Sequence, residues 1–215
     1  MRRALVAWGG WDGHQPEEGS AIVAAVLRDE GFDVRVEHGT AAFADPALAD
    51  CDLIVPIITM STIGKDELAG LTGAVAGGVG LAGFHGGMGD SFREAVEYQF
   101  MVGGQWVAHP GNIIDYHVDV TRPDDPLMEG LPTRFPYRSE QYYMHVDPSN
   151  EVLATTTFSG AHASWIDGVV MPVVWKRRHG RGRVFYSALG HQAEELTRPQ
   201  VATILRRGML WAARD

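Results

Sequence analysis

The residues of this chain best suited to chemistry are histidines set beside glycines. Imidazole titrates near neutral pH, moves protons in either direction and ligates metals. His85 stands in Gly83-Phe84-His85-Gly86-Gly87, and His14 in Gly9-Gly10-Trp11-Asp12-Gly13-His14-Gln15. His109 closes Gly103-Gly104-Gln105-Trp106-Val107-Ala108-His109, and His191 follows Tyr186-Ser187-Ala188-Leu189-Gly190. Glycines on both sides of one residue at a strand-to-helix turn permit a strained backbone that projects that residue outward, the geometry of nucleophile elbows. The spacing makes His85 the centre of a candidate site; the plain alternative is a tight turn with a locally bonded imidazole. Ser139-Glu140-Gln141-Tyr142-Tyr143 adds a carboxylate, a weaker signal because acids are common in surface loops.

The other histidines carry less. His117 sits in an alternating stretch and could face either side, while His38, His162 and His179 fall in loop or hairpin contexts that predict solvation. Cys51, at a strand entrance, reads as structural. There is no H-E-x-x-H and no cysteine pair, so no compact metal motif. A divalent metal such as zinc, gathered from His14, His85 and His191, stays open because catalytic zinc needs only three protein ligands. There is no Gly-x-Ser-x-Gly and no phosphate-cradling loop, and Gly9-Gly10-Trp11-Asp12-Gly13 lacks the G-x-G-x-x-G register. No nucleotide cofactor is expected.

These residues need elements to position them. Ala4–Trp8 is a short apolar run ended by glycines, the pattern of a buried parallel strand. Pro16-Glu17-Glu18 opens a helix that carries Ile22, Val23, Val26 and Leu27 at helical spacing and stops at Gly31. Phe32–Val36, Asp52–Ile58 and Val79–Phe84 read as strands, with helices over Leu68–Ala76 and Phe92–Val102. Such alternation implies a parallel sheet covered on both faces. After Pro110 the pattern changes. Ile113–Val120 alternates apolar and polar, and Asp124–Arg138 reads as a long surface excursion. Glu151–Thr157, Val169–Lys176 and Arg183–Leu189 are strands, the last two joined as an antiparallel hairpin. A closing helix over Pro199–Arg214 is expected to bury Val201, Ile204, Leu205 and Leu210 or Trp211. The expectation is one α/β domain over residues 1–215, mainly parallel, with an antiparallel extension. In open parallel sheets ligands bind beyond the carboxyl ends of the strands, which is where His14, His85 and His191 fall, with His109 on a crossover.

Composition narrows the function. The net charge of −9 opposes binding to a phosphate backbone, and the one cationic run, Lys176-Arg177-Arg178-His179, reads as a solvated hairpin. With one cysteine, no intrachain disulfide can form and a reducing compartment is expected. The N-terminal apolar run is too short for a secretory leader, and no stretch approaches the roughly 20 apolar residues of a membrane span. These features predict a cytoplasmic protein with no nucleic-acid or membrane partner.

Trp-Gly-Gly-Trp-Asp-Gly-His-Gln-Pro-Glu-Glu from Trp8, Gly-Phe-His-Gly-Gly from Gly83, Gly-Gly-Gln-Trp-Val-Ala-His-Pro-Gly from Gly103, Ser-Glu-Gln-Tyr-Tyr from Ser139 and the block from Pro172 to His191 occur in that order. Together they resemble the trehalose-utilisation (ThuA-like) family over nearly the whole chain. The resemblance implies a class I glutamine amidotransferase-like fold, a flavodoxin-like three-layer sandwich. In amidotransferases of that fold the elbow reads Gly-x-Cys-x-Gly. Here His85 replaces the cysteine, and Ala193 stands where a glutamate follows the late histidine, similar to His191. Without a thiolate no glutamyl thioester can form, so glutamine hydrolysis is not expected.

The resemblance also implies catabolism of trehalose or related disaccharides, in the company of sugar dehydrogenases that make 3-keto sugars, and in some members a metal such as zinc. On this reading the chain is a sugar-processing lyase, isomerase or hydrolase. His85, His191 and Glu140 are catalytic, and Trp11, His14, Gln15, Trp106, His109 and Tyr142 bind substrate. Aromatic faces suit a sugar ring. The rival reading is a non-catalytic sugar-binding or accessory partner of a dehydrogenase, and a third is a metal-dependent hydrolase of a non-sugar substrate. Self-association through the mid-chain excursion or the last helix is compatible with either of the first two.

Overall fold

The structure, a computed structural model, describes residues 1–215. Along the chain run β1 (Arg3–Gly10), α1 (Pro16–Asp29), β2 (Asp33–His38), β3 (Leu53–Thr59), α2 (Lys65–Ala76), β4 (Gly80–Phe84), α3 (His85–Gly89) and α4 (Val96–Val102). There follow β5 (Gly104–Ala108), β6 (Ile113–Val120), β7 (Arg134–Glu140), β8 (Tyr143–Val146), β9 (Glu151–Thr157), β10 (Val170–His179), β11 (Gly182–Ser187) and α5 (Pro199–Ala212). Nine strands form one sheet in the order β2-β1-β3-β4-β11-β10-β9-β6-β7, and β5 pairs with β8 in a separate ribbon.

The first five strands in that order are parallel. Every residue of β3 and β4 is buried, as near-continuous apolar strands require when both faces are covered. Crossovers are right-handed, so the turn outward from β1 through α1 to β2 and the turn the other way from β3 through α2 to β4 place α1 and α2 on opposite faces. This gives three layers. Proline at the first helical position and Glu17 and Glu18 in the first turn start α1, which buries Val23 and Leu27 and half-buries Ile22 and Val26.

The other four strands are antiparallel, and they do not lie flat. β4 and β7 are five steps apart in the sheet, a distance of about 24 Å at the usual strand spacing. Yet the His85 side chain at the end of β4 meets Glu140 at the end of β7 at 3.0 Å. The antiparallel half therefore curls back over the carboxyl ends of the parallel half. Register shifts between β10 and β9 at Pro172/Val174 and Val174/Trp175 mark bulges, which bend and twist a strand pair.

Several expectations need correction. Asp124–Arg138 is not simply a surface excursion: Leu127 and Met128 are buried, and the segment ends in β7, which buries Phe135 and Tyr137. The helix expected from Phe92 starts at Val96, after a turn. The last helix buries Met209 and Ala212, leaving Leu210 and Trp211 partly covered. The cationic run is not all solvated either. Lys176 Nζ sits 2.5 Å from the buried Asp125, and the mostly covered Arg177 pairs with Asp147 at 3.2 Å. β5 and β8 carry no pattern long enough to announce a strand. No helix is long and apolar enough to cross a membrane.

Candidate functional site

Three of the imidazoles are placed by the ends of parallel strands, and His109 follows β5 of the antiparallel ribbon. After β1 a single turn of 3-10 helix, Asp12–His14, brings His14 back over the sheet, where Nδ1 lies 2.9 Å from Thr59 Oγ1 at the end of β3. His85 follows β4 with φ +44°, a left-handed conformation that non-glycine residues rarely adopt. The strained elbow expected from Gly83-Phe84-His85-Gly86-Gly87 is present. Gly86 is required by proximity: a Cβ there would lie 2.5 Å from His14 Cε1. His191 follows β11 across a short turn whose Ala188 carbonyl accepts from His85 Nδ1 at 2.9 Å.

The curl of the antiparallel half adds the carboxylate. Glu140 Oε2 lies 3.0 Å from His85 Nε2, 3.4 Å from His191 Nδ1 and 3.9 Å from His14 Nε2, while Oε1 lies 3.7 Å from His109 Nε2. One donor atom from each of His14, His85, Glu140 and His191 can be chosen so that all lie within 4.8 Å of one another. Three of the four residues are buried and His14 is partly so.

Burial alone would raise the Glu140 carboxyl, but the hydrogen bond from His85 and the surrounding imidazoles hold it at about 2. Burial, reinforced by His85 and His191, lowers His14 to about 3. Burial and His85 also lower His191. His14 and His191 are therefore neutral at pH 7, the form in which histidine binds a metal.

The donors fit a divalent cation on two observations. A carbonyl only accepts, so His85 Nδ1 carries the hydrogen bonded to Ala188 O, and Nε2 faces a carboxylate oxygen 3.0 Å away, across a gap that either a proton or a cation bridges. An Nδ1–H on a backbone carbonyl is a common brace for a ligating histidine. Second, His191 Nδ1 is buried without a hydrogen-bond partner: its 3.4 Å approach to Glu140 lacks hydrogen-bonding geometry, so proximity there is not a bond. Three imidazoles and one carboxylate suit zinc and related transition metals.

Around this centre Tyr142 stacks on His85 at 3.9 Å, and Trp106 lies 5.5 Å from His109 and 6.2 Å from Tyr142. The Arg93 guanidinium covers the Trp106 ring at 4.8 Å and is held by two hydrogen bonds to the buried Asp90. Trp11, 47% exposed, stands edge-on to His14 at the rim. Gln15 lies at the same rim, but its side-chain oxygen accepts from Ala193 N–H at 3.1 Å, tying two loops together. Tyr143 packs on Phe158, apart from this wall. His38, His117, His145 and His162 are exposed, and Cys51 is buried, with burial raising its thiol.

Thr59, Asp90, Arg93 and Glu195 were not singled out from sequence. Glu195 carried one weak signal, an acid four residues beyond His191 where the amidotransferase pattern expects one at two.

The fold resembles a putative ThuA-like protein from Parabacteroides merdae with a TM-score of 0.79 and 18% identity, covering 99% of this chain and 89% of the other. It also resembles a putative ThuA-like protein from Bacteroides uniformis with a TM-score of 0.78 and 18% identity, covering 98% and 91%. A cytoplasmic protein from Salmonella typhimurium LT2 aligns over all of both chains with a TM-score of 0.66 and 14% identity. At such identities the likeness concerns the fold. No curated protein matches. The family description that does match, ThuA, trehalose utilisation, spans residues 3–212, and the chain therefore belongs to that family.

Proposed function

We propose that this chain is a cytoplasmic enzyme of disaccharide catabolism that acts on trehalose, a related disaccharide or its 3-keto form, with a divalent metal held by His14, His85, Glu140 and His191. The observation that supports this most is the convergence of those four donors within 4.8 Å, with His191 Nδ1 buried and without a hydrogen-bond partner. Zinc suits the donor set, and when bound it supplies Lewis-acid stabilisation of negative charge on a substrate oxygen.

The protein groups do the rest. A carbonyl acidifies the C–H beside it, so an imidazole base suffices to move that proton. His109 is the pocket imidazole outside the four-donor group; it is partly exposed, with Nε2 turned to Glu140 at 3.7 Å, and it carries the proton. Tyr142, Trp106 and Trp11 offer flat faces to the ring, and burial behind Tyr142 excludes water from the inner wall. A keto substrate must be supplied by an oxidation, so a sugar dehydrogenase is the class of reaction upstream. The single buried Cys51 is consistent with a reducing compartment.

The test is elemental analysis of the purified chain, followed by proton NMR of a 3-keto disaccharide in deuterated water. The expected result is one metal per chain and exchange of the C–H next to the carbonyl, with His109→Ala slowing exchange on the order of 100-fold or more while retaining the metal. Saturable disaccharide binding with neither metal nor exchange would replace the enzyme by the accessory partner of a dehydrogenase.

A further inference from the structure

Behind the four-donor group lies a second buried carboxylate, Glu195, for which the proposed chemistry has no use. It is surrounded by donors. Tyr137 Oη donates to Oε2 at 2.5 Å, Ser139 Oγ lies 2.9 and 3.1 Å from the two oxygens, and the His191 backbone N–H donates to Oε2 at 3.2 Å. Tyr137 Oη in turn accepts from Gly190 N–H at 3.2 Å. The nearest cation, Arg198, stands 3.9 Å from Oε1. A buried acceptor with so many donors costs free energy if any is removed, since each lost partner leaves a desolvated polar group behind.

These donors come from two segments that are far apart in the sheet. Tyr137 and Ser139 belong to β7, and Ser139 immediately precedes Glu140. Gly190 and His191 belong to the turn after β11, whose Ala188 carbonyl also fixes the His85 ring. We infer that Glu195 is the positioning residue of the site: one carboxylate clamps the curled strand that carries Glu140 to the turn that carries His191 and orients His85. Three of the four donors thus owe their mutual distances to it, although it touches none of their side chains. This inference rests on the metal reading above.

The experiment measures zinc affinity by chelator competition and records the visible spectrum of the cobalt(II)-substituted protein for the parent, Glu195→Gln and the control Glu194→Gln, an exposed neighbour. The amide of Glu195→Gln turns a donor toward groups that can only or mainly donate. Expected are zinc binding weaker by roughly 10–100-fold, the range for partners that orient ligands, and shifted cobalt bands, with Glu194→Gln like the parent. A folded Glu195→Gln protein with parental affinity and spectrum overturns the inference and leaves the metal reading intact. A parent that binds no zinc overturns both. Should Glu195→Gln not fold, Ser139→Ala and Tyr137→Phe each delete one donor and keep the carboxylate. Several-fold weaker zinc binding is then expected in each, and parental affinity in both overturns the inference.

Discussion

The two halves of the sheet contribute to the site in different ways. The parallel half presents His14, His85 and His191 on turns directly after β1, β4 and β11. The antiparallel half supplies Glu140 from the last residue of β7, with Tyr142 two residues beyond. In the first case topology does the placing, because parallel strands end together and their following turns share one rim. In the second, nothing local directs Glu140 to that rim. It arrives only because four antiparallel strands bend at the bulges of β10 and β9 and fold back. The imidazoles thus come with the scaffold, whereas the charge that gathers them depends on long-range shape.

The largest effect is expected from removing the carboxylate that the antiparallel half contributes. Glu140→Ala should weaken zinc binding by more than the roughly 100-fold upper range for an outer-shell partner, with the circular dichroism of the fold retained. Parental affinity, read by chelator competition, would mean that the curled half does not meet the parallel half in solution.

The stability of the metal-free protein should depend on pH. His14 is held at about 3 in the folded chain against 6.5 unfolded, and His191 is shifted in the same direction. Glu140 is held at about 2 against 4.5. In each case the unfolded chain takes up the proton first. Stability is therefore greatest above pH 6.5 and falls as pH drops from 6.5 toward 2, by an amount on the order of a few kcal/mol. Urea unfolding at stepped pH measures this. A flat profile from pH 7 to 4 would contradict the burial of the imidazoles, and His14→Ala should flatten the upper part of the curve.

A smaller effect is expected inside the parallel half. Gly86→Ala places a methyl 2.5 Å from His14 Cε1, which should lower stability by about 1–3 kcal/mol and displace His14. Thermal unfolding and the exchange rates of the His14 ring protons would register it, and unchanged values would mean that the elbow and His14 are not in contact. The smallest effect belongs to the rim. Trp11→Ala, at a 47% exposed position, should leave stability within about 0.5 kcal/mol and raise KM a few-fold with kcat unchanged. A large fall in kcat would place Trp11 nearer the reacting atoms than its edge-on contact with His14 suggests.

Much of this was legible in the sequence, unevenly between the halves. Apolar runs ended by glycine located β1, β3 and β4, and the glycines around His85 announced an elbow that the φ of +44° bears out. His14, His85 and His191 could be assigned to one rim because strand ends are predictable from periodicity, with His109 added from a crossover. β7 was hidden in a stretch of proline, glycine and charge, where Phe135 and Tyr137 alternate over too few residues to declare a strand. Glu140 was therefore only a weak candidate. Glu195 was less visible still, since its side-chain donors are 56 and 58 residues away in the chain.

The amino-acid order by itself determined the layered parallel half, the elbow at His85 and the resemblance to the family, because these follow from local periodicity and from residue types within single turns. Only the tertiary structure decided that Glu140 faces three imidazoles, that His109 stands beside rather than within the four-donor group, that Gln15 serves a loop and that Glu195 ties strand to turn. The physical reason is range. Strand ends and elbows are set by a few neighbouring residues, whereas a 3.0 Å contact between strands five steps apart exists only through the accumulated twist and bulges of the strands between them.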